Sequence, residues 1–137
     1  MKFPLRSDEA LRRSKPVEYE STVTLEARSM AGVRFTVLRL SFARRMELAR
    51  RVLELSQRLE FKQAGEAVDD NIEANILGCE IDNLYLSWGL VAVHGLTIDG
   101  VDATPELIAA KAPEELAREI VAAIKAECGL TEAERKN

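Results

Sequence analysis

Residues 17–61 read VEYESTVTLEARSMAGVRFTVLRL and then SFARRMELARRVLELSQRLEF, and the change of rhythm between the two halves decides the fold class. Up to Leu40 the period is two. Tyr19, Ser21, Val23, Leu25 and Ala27 alternate with Glu18, Glu20, Thr22, Thr24, Glu26 and Arg28. Beyond Ser29-Met30-Ala31-Gly32 the alternation resumes, with Val33, Phe35, Val37 and Arg39 on one side and Arg34, Thr36, Leu38 and Leu40 on the other. β-Branched and aromatic residues alternating around a glycine-containing connection predict a β-hairpin. Glutamates dominate its first strand and arginines its second. Cross-strand ion pairs are therefore expected, at about 0.2–1 kcal/mol each.

After Ser41, placed to cap a helix, the period lengthens to about 3.6. Leu48, Val52, Leu55 and Leu59 form a stripe widened by Ala49 and Leu53, which predicts a helix over residues 42–61. Glu47 precedes Arg51 by four and Glu54 precedes Arg58 by four. In this orientation helical ion pairs contribute about 0.2–0.5 kcal/mol each. The arginines of this helix are thereby expected to form a solvated, self-paired face rather than a phosphate-binding stripe.

Gln63 to Val68, with Gly65, marks a turn into a second long helix that runs from Asp69 or Asp70 to Trp88, with Gly89 to stop it. Ile72, Ile76, Cys79, Asn83 and Leu86 lie along one side of this helix; Leu77, Ile81, Leu84 and Trp88 lie along nearly the opposite side. A helix with apolar stripes on both sides must be covered on both. The structural expectation is a central helix between the first helix and the hairpin. The functional expectation is that Leu77, Ile81, Leu84 and Trp88 meet another protein chain.

Asp99-Gly100 between apolar residues predicts a tight reversal in Val91–Asp102. Thr104 caps a short helix with Pro105 at its first position, and Pro113-Glu114-Glu115 opens another. Leu116, Ile120, Ile124 and Cys128 step by four along that last helix, which Gly129 ends; Thr131 with Glu134 resembles a capping box for a further turn. The expected architecture is α+β: an N-terminal β-hairpin packed on a mainly α-helical bundle, with a long αα-hairpin and short C-terminal helices. Residues 1–16 are read as a loosely attached arm and 17–137 as a single domain.

The 137 residues are 47% hydrophobic and 31% charged, which excludes collagen-like and linker compositions and is enough for one core. The formal charge of −4 divides unevenly: residues 1–27 are neutral, 28–62 carry nine bases and three acids, and 63–137 carry five bases and fifteen acids. The N-terminus offers no apolar run of signal-peptide length and no stretch is apolar enough to span a bilayer, so the expected compartment is the cytoplasm. Cys79 and Cys128 have no metal or redox spacing and are expected to be buried thiols. The one histidine, His94, has no defensible nucleophile partner. No phosphate-cradling glycine loop or dinucleotide fingerprint occurs. No catalytic residue, cofactor site or metal site is expected.

Tyr85-Leu86-Ser87-Trp88-Gly89-Leu90, Gly95-Leu96-Thr97-Ile98-Asp99-Gly100, Ala103-Thr104-Pro105, Pro113-Glu114-Glu115-Leu116 and the run from Glu127-Cys128-Gly129-Leu130 to Arg135-Lys136-Asn137 carry a family resemblance. Across residues 33–137 the chain resembles the small tail-gene proteins of long-tailed bacteriophages and prophages called tail assembly chaperones. The resemblance implies a non-enzymatic factor of the bacterial cytoplasm that binds the aggregation-prone tape measure protein and recruits tail tube protein, possible homo-oligomers included. Two other classes stay open from the residues: a virion structural component of the neck, tail completion or capsid, and a small nucleic-acid-binding regulator using Arg44, Arg45, Arg50, Arg51 and Arg58. The acidic total weighs against nucleic acid.

Overall fold

A computed structural model describes residues 15–63 and 68–129. The fold is α+β. Strands β1 (Thr22–Glu26) and β2 (Arg34–Leu38) form the expected hairpin, followed by helices α1 (Phe42–Gln63) and α2 (Val68–Gly89). Strand β3 (Leu90–His94) follows α2 without a loop, and β4 (Thr97–Ile98) and β5 (Val101–Asp102) make a second, minimal hairpin. Helices α3 (Pro105–Lys111) and α4 (Glu114–Glu127) complete the chain. Residues 1–14 of the expected 1–16 arm, the turn around Gly65 and the capping box at Thr131 lie outside the described residues; Lys15 and Pro16 are exposed.

The first hairpin is antiparallel, with Val23 opposite Val37, Leu25 opposite Phe35 and Glu26 opposite Arg34. Val33, Phe35 and Val37 are buried, so the period-two pattern identified the core face. On the other face the hydroxyls of Thr24 and Thr36 lie 2.7 Å apart. The expected cross-strand ion pairs do not form among the described residues. Arg39 instead reaches Glu127 of α4, with Nε 3.6 Å from Oε1, and donates from Nη1 to the main-chain oxygen of Glu20. The hairpin's charge thus ties it to the C-terminal helix rather than closing on itself.

Unexpected from the sequence is the third strand. β3 pairs antiparallel with β2, which becomes the centre of a three-stranded sheet in the order β1-β2-β3. Val93 faces Phe35, Ala92 faces Thr36 and Leu90 faces Val37, so Val91 is the extra residue of a β-bulge. The bulge turns Leu90 to the core face, where it is buried, and leaves Val91 exposed. Beyond β3, Gly95 adopts φ +79°, and a Cβ on it would overlap the main-chain oxygen of Gly32 in the β1–β2 loop. In the β4–β5 hairpin Asp99 and Gly100 both have positive φ (51° and 81°), the type I′ geometry that an Asp-Gly pair supplies.

Helix signals read from sequence hold at both ends of the chain. Ser41 Oγ accepts from the Arg44 amide at 3.3 Å, and Thr104 Oγ1 accepts from the Leu107 amide at 3.2 Å. The four-step stripe of α4 is the driest surface of the molecule: Leu116, Ile120 and Ile124 have no exposed area and Cys128 is buried. The layering differs from expectation. α2 packs on α1 on one side and on α3 and α4 on another; α4 covers β2, and α3 covers β3 together with the C-terminal end of α2.

Candidate functional site: an apolar groove beside the first long helix

Of the four residues assigned to a partner from sequence, Leu77 and Trp88 are buried within the chain, and Ile81 and Leu84 are half-buried. Trp88 and Ile81 belong to the same apolar cluster as Phe35 and Ile124. This stripe is therefore the chain's own core. The opposite stripe, expected to be covered, stands open at Ile72 (53% exposed) and Ile76 (52% exposed). Periodicity located both stripes but carried no information on which side the remaining chain would take. The direct passage of α2 into β3 settles it, because Trp88 is drawn down with Leu90. Trp88 Nε1 is buried with no hydrogen-bond partner among the described residues.

A second open apolar surface lies along α1. A groove of about 310 Å³ runs between α1, Tyr85 of α2 and the end of α4, floored by Leu48, Val52, Tyr85 and Cys128 and edged by Leu53 and Arg45. Leu53 is 58% exposed, contrary to its assignment to the core stripe, and Ala49 beside it is exposed as well. Phe42 and Met46 extend the open strip toward the start of the helix. Phe42, Met46, Ala49 and Leu53 follow a four-three-four spacing, the sequence signal that could have marked this face.

The floor is held in place by a half-buried clamp. Lys125 Nζ donates to Asp82 Oδ1 at 2.9 Å and lies 5.1 Å from the centre of the Tyr85 ring, joining α4 to α2. Burial, with help from the nearby Cys128 and Asp82, pushes the Tyr85 hydroxyl above its ordinary pKa. Burial also pushes the Cys128 thiol up; the Arg45 charge opposes this and Glu127 adds to it. Both groups are uncharged at neutral pH, so Arg45 is the one formal charge among the described residues that line the groove. Cys79, expected to be buried, is exposed on α2, and both cysteines are free thiols.

A larger cleft, about 390 Å³, is lined by Val93, His94, Gly95, Leu96, Thr97 and Asp102. No hydrogen bond joins His94 to Thr97 or Asp102 among the described residues. Among the described residues no three His, Cys, Asp or Glu side chains come together as a metal cage, and no helix is long and apolar enough to cross a membrane.

No family model, curated protein or solved structure matches the chain. The groove must be interpreted on its own chemistry. Its rim is basic: Arg51 pairs with Glu47 at 3.0 Å as the spacing predicted, but Glu54 and Arg58 form no pair among the described residues. Arg44, Arg51 and Arg58 follow one line of α1, while Arg45 and Arg50 stand beside the open apolar strip.

Proposed function

We propose that this chain is a non-enzymatic assembly chaperone of the phage tail class it resembles, acting in the bacterial cytoplasm. Its client is the tape measure protein, a segment of which lies in the groove beside α1 while tail tube protein is recruited. The observation that supports this reading is an open apolar groove between α1, α2 and α4, edged by one unpaired arginine, with an apolar strip leading into it along α1. An amphipathic helix laying its apolar face into a groove is a recurrent mode of protein recognition, and Leu53 and Val52 provide the wall it needs. The site first assigned to the client, around Trp88, is replaced in this proposal by the groove because Trp88 is occupied by the fold.

Co-expression of the chain with the tape measure protein of the same phage or prophage should raise the soluble fraction of that protein. Leu53→Asp should remove the effect while leaving the circular dichroism and thermal midpoint of the chain unchanged, since Leu53 is exposed. A tape measure protein that stays equally insoluble with and without the wild-type chain overturns the reading.

A further inference from the structure

Of the two edges of the three-stranded sheet, β3 is interrupted by the bulge at Val91, which blunts an edge against further pairing. β1 has no such guard. It pairs regularly with β2 and contains no proline, lysine or bulge between Thr22 and Glu26. The Ala27 amide donates to the Val33 oxygen and the Arg39 amide to the Ser21 oxygen, so the odd-numbered residues of β1 hold the ladder. The main-chain groups of Thr22, Thr24 and Glu26 therefore point away from the sheet, and none has a partner among the described residues. The chain's own side chains close this series at both ends: the Glu20 oxygen accepts from Arg39 Nη1, and the Arg28 amide donates to Glu119. Between them the edge stays open. Val23 and Leu25, opposite the buried Val37 and Phe35, pack on the core but are themselves only half-buried. In the alternating set Glu18, Glu20 and Glu26 are exposed and form no ion pair among the described residues, Glu26 making none with Arg34 opposite.

We propose that the β1 edge receives an extended segment of another protein, matching the 5 residues of β1 in length, in which apolar and basic side chains alternate. Each part of the edge selects one property of the occupant. Outward main-chain donors and acceptors require a strand rather than a helix. Val23 and Leu25 require apolar residues on one face of that strand, and the unpaired carboxylates require lysine or arginine on the other. A second copy of β1 fits less well, because it would double the carboxylates on one face. The inference is independent of the client groove beside α1.

The probe is a short capped peptide of alternating lysine and valine, labelled for fluorescence anisotropy. It should bind the full chain, more weakly as salt is added, and in nuclear magnetic resonance it should show cross-strand contacts to Thr22, Thr24 and Glu26. A peptide of the same composition with its lysines and valines in separate blocks should not bind at that edge. Thr24→Pro removes an outward donor without breaking a main-chain bond between β1 and β2, and should weaken binding about fivefold. The double variant Glu18→Lys, Glu20→Lys leaves the strand itself untouched, since both residues are exposed and precede β1, and should weaken binding at least about tenfold at low salt. Equal binding of the blocked peptide, or binding that the double variant leaves unchanged, overturns the proposal. So do cross-strand contacts to Thr22, Thr24 and Glu26 in the free chain, which would put its own N-terminal residues or a second copy on the edge already.

Discussion

Glu119 is the residue on which distant parts of the chain converge. Its carboxylate accepts from the Arg28 amide at 2.6 Å, the Ser29 amide at 3.0 Å and the Ser29 hydroxyl at 2.7 Å, fastening α4 to the β1–β2 loop about ninety residues earlier. Partial burial pushes its pKa up, but these three bonds and the Arg28 charge outweigh that and hold it below the usual glutamate value of 4.5. A carboxyl group whose pKa is lowered in the folded state stabilises that state above the unfolded pKa and loses the contribution as pH falls through the folded one. Glu119→Gln should therefore cost about 1–2 kcal/mol at pH 7, discounted for solvent access, because the amide keeps one acceptor oxygen but loses the charge and turns the other oxygen into a donor facing a donor. In urea denaturation followed by circular dichroism, the gap between variant and wild type should close below pH 4.5. A gap that is unchanged at low pH would mean that the side chain acts through packing instead.

At the scale of whole elements, the stretches with one clear rhythm were legible and the stretch with two was not. The period-two alternation of Val33, Phe35 and Val37 and the four-step stripe of Leu116, Ile120 and Ile124 each pointed to the buried face, because only one face of each element was apolar. α3 was legible from its cap and proline alone. β3 was not recognised as a sheet strand: its pairing depends on a bulge at Val91 and on a partner more than fifty residues earlier, neither of which has a local signature. α2 defeated the reading of the site, since Ile76 and Leu77 are adjacent, similarly apolar and belong to opposite stripes. Alanine substitution separates them. Leu77→Ala should cost about 2–4 kcal/mol, as expected for a buried leucine, and Ile76→Ala should stay within about 0.5 kcal/mol. Chemical denaturation of both variants checks it, and equal losses would contradict the burial assigned to α2.

For the molecule as a whole, the core is not shared evenly. Phe35 and Val37 of β2, Ile108 of α3 and Leu116, Ile120 and Ile124 of α4 are each 1% exposed or less, whereas α1 contributes Leu48 as its one buried residue among those described. Among the described residues, the first half of α2 buries Ala74 and Leu77 and leaves Ile72 and Ile76 in solvent. Local opening free energies follow buried apolar contact, ranging from near zero to the global value. The sheet and α4 should then exchange their amide hydrogens only when the entire chain unfolds. The amides of α1 and of the first half of α2 should open at least about 2 kcal/mol below that, roughly thirtyfold faster. Hydrogen-exchange mass spectrometry in dilute solution checks this: α1 amides that exchange roughly thirtyfold faster than those of α4 agree with it. An α1 as slow as α4 in dilute solution would show that Leu48 and the half-buried residues around it hold the helix as firmly as the central core does.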